Sequence, residues 1–301
     1  MIQRLTCPIT GEAASVIFSR PYRRPEFQPM IARGNLAELV ADKDYEVRHC
    51  AASGLCFQTW VMEDGELERW YSPPSADEFF MDEIGRQKLH WFAHMTEEIL
   101  VFRQLCREKM PVVLDVGCNW GKWASMALAH GCDVYAVEVN RAAAAFCAGR
   151  GIKIVRLDQP SGLGFDFINV DQVMEHLSEP LAMARRLSTC LKPGGFLKIS
   201  TPDNLRLPRL LAQAQHTGDN RVLNPQTLDS LAPLEHVNLF TRASLEVLAG
   251  QAGLRNFRLP LIKWLGAGQL WNVPRQLNRN LIVPFKRWRR QGTYQWFQKP
   301  G

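Results

Sequence analysis

The chain has 301 residues, of which 46% are hydrophobic and 22% charged, and its formal net charge is +6. That balance suits a soluble globular protein with room for one sizeable domain and appendages, and no apolar run is long enough to span a bilayer. The basic excess permits contact with nucleic acid or an anionic surface without requiring it, and the eight cysteines read as reduced thiols, several of them within the expected core.

In chain order, Met1-Ile-Gln-Arg-Leu-Thr-Cys-Pro is too polar, and broken too soon by Pro8, for a signal peptide, so a cytoplasmic location is expected. Residues 1–74 are expected to form a unit of their own. Cys7-Pro-Ile-Thr10-Gly11 resembles half of a zinc knuckle, with Thr10 in place of its second cysteine. His49-Cys50-Ala-Ala-Ser53-Gly54 resembles the other half, with Ser53 in that place, between strands Tyr45 to Arg48 and Leu55 to Gln58. A structural zinc takes four strong ligands and hydroxyls are poor ones. The expectation is therefore a degenerate, metal-free zinc-ribbon-like unit, with no metal site assigned to the chain. Pro73-Pro74 punctuates its end. Residues 75–110 follow as a helical lid or linker whose apolar faces include Phe79, Phe80, Trp91, Phe92 and Met95; packing against a sheet and covering a ligand are both open to it.

Val112 to Val116 is a short apolar run of the kind a buried parallel strand needs. Gly117 and Gly121 bracket a tight turn, Trp123 to His130 has helical spacing, and Val134 to Val137 is a second strand ending on Glu138. Strand and helix keep alternating, the pattern of a parallel α/β sheet. Helix 142–149 leads to strand 152–157 and Asp158, then to strand Phe165 to Asp171 followed by Gln172, Glu175 and His176. Helix 180–191, a Lys-Pro-Gly-Gly turn and strand Phe196 to Ser200 come next. Leu205 to Ala214 reads as helix, 216–234 as a polar, irregular candidate substrate loop, and 244–252 as a helix capped by Thr241. Strands 254–262 and 293–299 flank a basic, Trp-rich insertion at about 263–292, which includes Lys286-Arg287-Trp288-Arg289-Arg290.

A carboxylate roughly 20 residues past a glycine turn can accept hydrogen bonds from both hydroxyls of a ribose, which makes Glu138 a candidate cofactor residue. A dinucleotide fingerprint would need Gly-x-Gly-x-x-Gly, and two of those glycines are missing here. Asp115-x-Gly117-x-Asn119-x-Gly121 instead resembles the acidic-x-Gly-x-Gly-x-Gly signature of class I S-adenosylmethionine-dependent methyltransferases. Asn119 replaces the middle glycine, and asparagine tolerates left-handed backbone angles. The Glu-His segment at Glu175-His176 and the turn at Lys192-Pro-Gly-Gly195 resemble the same family, in its order.

The resemblance covers about Pro111 to the end. It implies a Rossmann-like, seven-stranded α/β methyltransferase sheet over 111–301, S-adenosylmethionine as cofactor, and cofactor contacts from Asp115, Gly117, Asn119, Gly121, Glu138, Asp158, Asp171 and Gln172. Many methyltransferases of bacterial biosynthetic clusters carry an N-terminal ribbon as well. Structural capping at strand ends is the other reading of Asp115 and Glu138. His236 and His176 are the candidate general bases; either can equally be a structural histidine holding a loop. After its fourth strand the chain has Asp171-Gln-Val-Met. It lacks both the Asn/Asp-Pro-Pro-aromatic segment of exocyclic-amine methylation and the Pro-Cys of cytosine-carbon methylation. The implied acceptor is an oxygen of a small-molecule or sugar-containing intermediate, with nucleic acid disfavoured. Trp264, Trp271, Trp288 and Trp296 with the basic cluster could lie on an anionic membrane, serve RNA, or pack on the sheet. A non-catalytic scaffold is the reading of a different class.

Overall fold

The structure is a computed structural model and describes residues 1–33, 36–63, 66, 89–157, 164–260 and 293–301. The Trp-rich insertion, Asp158 and the first part of the expected lid, 75–88, lie outside the described residues; the rest of the lid carries helix Leu89–Leu105. Contacts divide the chain into two compact units. One combines Met1–Trp70 with Gln172–Arg185 and Ser200–Ala252; the other combines Tyr71–Asp171 with Arg186–Ile199 and Gly253–Gly301.

The second unit is built on a seven-stranded sheet. Its strands are β1 (Val112–Val116), β2 (Asp133–Val137), β3 (Lys153–Ile154), β4 (Phe165–Asp171), β5 (Leu191–Ser200), β6 (Arg255–Asn256) and β7 (Gln295–Gln298), in the spatial order β6-β7-β5-β4-β1-β2-β3. β1 runs parallel to β2, pairing Val113 with Val134, and parallel to β4, pairing Val113 with Phe167. β7 is antiparallel to both β5 and β6. The apolar run of β1 is buried from Val113 to Val116, as a central parallel strand must be. The chain leaves β1 toward β2 on one side and returns to β4 on the other, so the order reverses at the C-terminal end of β1, where α/β sheets place ligands.

Aromatic side chains fill this unit's core. Trp123 stacks on Phe167 at 5.6 Å between ring centroids, and Phe167 meets Phe102 at 4.7 Å and Trp296 at 5.0 Å. Burying a side chain such as Phe167 contributes about 1.5–3 kcal/mol. Trp296 is only 2% exposed, which removes it from the set offered to a membrane: it faces the core from β7. The expected third, sixth and seventh strands are shorter than their apolar runs. The Lys-Pro-Gly-Gly turn belongs to β5, with Gly194 at φ +77° receiving Lys299, since its N–H donates to the Lys299 carbonyl at 3.0 Å.

The first unit carries an antiparallel sheet in the order Asn238–Leu239, Cys56–Gln58, Asp44–His49, Ser15–Pro21. The described N-terminal strands thus share a sheet and a core with much later segments: Phe18, Tyr45 and Val47 pack with Leu207, Leu211, Leu231 and Leu239. The N-terminal strands bury too little alone, and helix Leu207–Thr217 supplies the missing apolar face. The segment expected to be irregular contains a helix, Pro225–Leu231, whose N-cap Asn224 accepts from the N–H groups of Gln226 and Thr227. Asn-Pro at Ncap and N1 is a helix start, masked by the polar surroundings. The knuckle positions converge. Cys7 Sγ lies 3.1 Å from Ser53 Oγ, and Thr10 Oγ1 lies 3.7 Å from Cys50 Sγ. Matching turns close on Gly11 and Gly54, both at positive φ.

Candidate functional site

In the sheet unit, the turn after β1 is built from left-handed residues: Gly117 at φ +67°, Asn119 at +50° and Gly121 at +69°. Gly117 and Asn119 are exposed, whereas Cys118 and Trp120 point inward. Space is also short at Gly121. A Cβ there would sit 2.8 Å from Cys147 Sγ and 3.1 Å from Ile152 Cδ1, so a side chain at that point would force those two to shift. Asn119 fills the middle-glycine position at an angle asparagine tolerates.

Glu138, at the end of β2, reaches back to this turn. Its Oε2 accepts from the Asn119 N–H at 2.7 Å and its Oε1 from the Asn140 N–H at 2.8 Å. A carboxylate offers about four lone-pair sites, so the two bonds fix its plane and leave capacity for a ligand diol. Asp115 is 3% exposed and accepts from Asn169 Nδ2 at 2.7 Å. Burial pushes its pKa up to about 7; Asp171 adds to the rise, and the Asn169 hydrogen bond and Lys198 oppose it. Lys198, also buried, lies 3.2 Å from Asp171 and 3.5 Å from Glu98. Burial opposes its charge, but those two carboxylates hold its pKa above the ordinary value. Glu98 further accepts from Trp123 Nε1 at 3.2 Å. Asp171, expected to touch cofactor, is engaged with Lys198.

The first unit holds the other candidates. The short 3₁₀ turn Met174–His176 brings Glu175, 1% exposed, and His176 beside His236, with the two imidazoles 4.9 Å apart. His176 Nδ1 lies 2.9 Å from the Glu235 carbonyl and His236 Nδ1 lies 3.2 Å from the Ser230 carbonyl. Burial, and then His236, lowers the His176 pKa to about 4, against a hydrogen bond to the Glu235 backbone that raises it. Gln172 sits at φ +54°, donating its backbone N–H to Ser200 O and its Nε2 to Ser200 Oγ.

Distant residues hold this cluster. Asn238 Nδ2 donates to the carbonyls of Met174 and Leu177, while Arg4 donates to Asn238 Oδ1 and to the carbonyls of Ser178, Val237 and Gln58. Gln58 Nε2 donates to the carbonyls of Leu231, Ala232 and His236, and its Oε1 accepts from the Leu234 N–H. Ala232 and Leu234 have φ of +21° and +66°. Such strain persists only where surroundings over-determine it, and Gln58 does so. Arg4, Gln58, Asn238, Asn169 and Lys198 escaped the sequence reading. The last two carried a signal, since each is polar in the middle of an apolar strand.

The chain matches the family described as "Methyltransferase domain" over residues 89–259, more than half its length. It is 29% identical over 101 residues to the ubiquinone biosynthesis O-methyltransferase of Acinetobacter baumannii, a match covering 30% of this chain and 43% of that protein. The chain thus spans less than half the length of that curated relative. Among solved structures, the plantazolicin methyltransferase BpumL with a monoazolic desmethylPZN analog and SAH is 13% identical, with TM-score 0.49, covering 78% of this chain and 94% of that one. The SAM-bound amino pentose methyltransferase CalS10 of Micromonospora echinaspora is 22% identical, with TM-score 0.35, over 41% and 56%. Among the described residues no helix is long and apolar enough to cross a membrane.

Proposed function

This chain belongs to the methyltransferase-domain family, and from that premise we propose that it transfers the methyl group of S-adenosylmethionine to an oxygen of a small-molecule or sugar-containing acceptor. The observation that carries the reading is the junction of Glu138 with the Asn119 N–H, which locks a diol-binding carboxylate to the left-handed turn. The residues suit this cofactor. Exposed Gly117 and Asn119 let backbone approach it, Glu138 orients its ribose, and buried Asp115 offers a carboxylate to its amino group. When bound, the cofactor supplies a methyl carbon made electrophilic by the adjoining sulfonium. The protein's task is to position, exclude water and accept a proton. His236 is the candidate base, holding the acceptor proton at Nε2, with His176 as its neighbour. A small-molecule acceptor agrees with the ubiquinone biosynthesis O-methyltransferase to which the chain is similar, and the expected cytoplasmic location belongs to the same reading.

Titration of S-adenosylmethionine and its demethylated product by calorimetry tests this. Wild type is expected to saturate with one equivalent. Glu138→Ala should weaken binding by roughly 100-fold, the loss of charge-assisted hydrogen bonds worth about 1.5–3 kcal/mol each. A well-folded wild type that binds neither would replace this reading with a non-catalytic scaffold.

A further inference from the structure

We propose that Glu175, His176 and His236 form a binding site for a divalent first-row transition ion such as zinc. The inference concerns a ligand of this cluster: a bound ion takes the His236 Nε2 lone pair, so the metal-loaded cluster and one in which His236 acts as a base are alternative states of it. One ligand atom from each of these residues lies within 4.8 Å of the others. Zinc–ligand bonds of about 2.0–2.2 Å place the donors of a tetrahedral site roughly 3.4 Å apart, so side-chain adjustments of about an ångström close the set around an ion. Two imidazoles and one carboxylate are a donor set suited to zinc with one position left open. That position would take water or an oxygen donor.

The imidazoles are prepared for coordination. A carbonyl oxygen can only accept, so the contacts with Glu235 O and Ser230 O require the ring proton on Nδ1 in both histidines. Nε2 then carries the lone pair in each ring, and a backbone carbonyl on the far nitrogen is the usual support of a ligating histidine. The backbone is prepared as well. Asn238 ties the Met174–His176 turn to the segment that carries His236, and Gln58 fixes the His236 carbonyl at 2.9 Å. Glu175 places a carboxylate at 1% exposure, where a dication offsets the cost of its burial.

The test uses full-length protein stripped with chelator and titrated with Co²⁺ and then Zn²⁺. One equivalent of Co²⁺ is expected to give the visible d–d bands of a four-coordinate nitrogen and oxygen site without the intense near-ultraviolet charge transfer of thiolate ligation, and Zn²⁺ should displace it. His236→Ala should lower affinity by at least roughly 100-fold, the upper end for losing even an outer-shell partner. His236→Gln, which keeps a polar side chain of similar reach, serves if the alanine variant fails to fold. A Cys7→Ser, Cys50→Ser double variant should bind as wild type does. Absence of stoichiometric binding, binding unchanged in both His236 variants, or a charge-transfer band removed with the cysteines would each overturn the proposal.

Discussion

The glycine turn and the histidine cluster solve the same problem, holding polar groups in fixed positions, by opposite means. The turn is local. Its residues and Glu138 lie within a single strand-turn-helix-strand passage, and backbone angles do most of the placing. The cluster is assembled from remote pieces: residue 4, residue 58, the 174–178 segment and the 230–238 segment meet through side-chain hydrogen bonds to backbone carbonyls. A local site is vulnerable to a change of angle or volume; an assembled one is vulnerable to the loss of a staple far away in sequence.

Arg4→Ala should expose that difference most. It removes a buried guanidinium that serves three carbonyls and Asn238 Oδ1. Burial itself lowers the Arg4 pKa to about 9, so relief of desolvation offsets part of the loss. The net cost is about 4 kcal/mol, from acceptors left buried without their charged donor. Urea unfolding measures it. Zinc affinity should fall with it, while the affinity of the folded protein for S-adenosylmethionine stays within about twofold, additivity being expected of sites that share no partners. A parallel loss of cofactor affinity would mean that the glycine turn also depends on the Arg4 hydrogen bonds.

Gly121→Ala is the converse and should cost somewhat less, about 3 kcal/mol. Left-handed angles cost a non-glycine residue about 1–2 kcal/mol, and overpacking against Cys147 and Ile152 adds about 1–3 kcal/mol. Cofactor affinity should drop while zinc binding is unchanged. Equal loss of both would mean that the two sites are coupled.

The same contrast explains what could be read from the chain before its structure. The turn was legible because left-handed angles, apolar strand runs and a trailing acidic residue are short-range signals. The sheet followed from the repeated alternation of strand and helix. His176 and His236 could be named as chemically suited residues, but nothing in local pattern ties residue 4 or 58 to residue 236. Nor could periodicity reveal that the N-terminal strands complete their core with Leu207 and Leu211. The knuckles lie between these cases. Their four positions were legible, yet the pairing of Cys7 with Ser53 and of Thr10 with Cys50 is a fact of three dimensions. The Asn224-Pro225 helix start was present in the chain and was overridden by the polarity around it.

The smallest effect lies in protons. Asp115 titrates near 7 in the folded protein, against an ordinary value of 3.8. Because its folded pKa is raised, the stability linked to its protonated form is complete below about pH 4 and is lost as pH rises through 7. Asp115→Asn should flatten the stability profile over that window. Asn169, Asp171 and Lys198 are the polar and charged groups bearing on this carboxyl. At pH 7 about half of the molecules carry the proton. A cofactor whose amino group requires the carboxylate should therefore release about half a proton on binding, read as a dependence of calorimetric enthalpy on the buffer's ionisation enthalpy. Cofactor binding without proton release at pH 7 would mean that Asp115 stays protonated beneath the turn and acts as a structural partner of Asn169, not as a cofactor ligand.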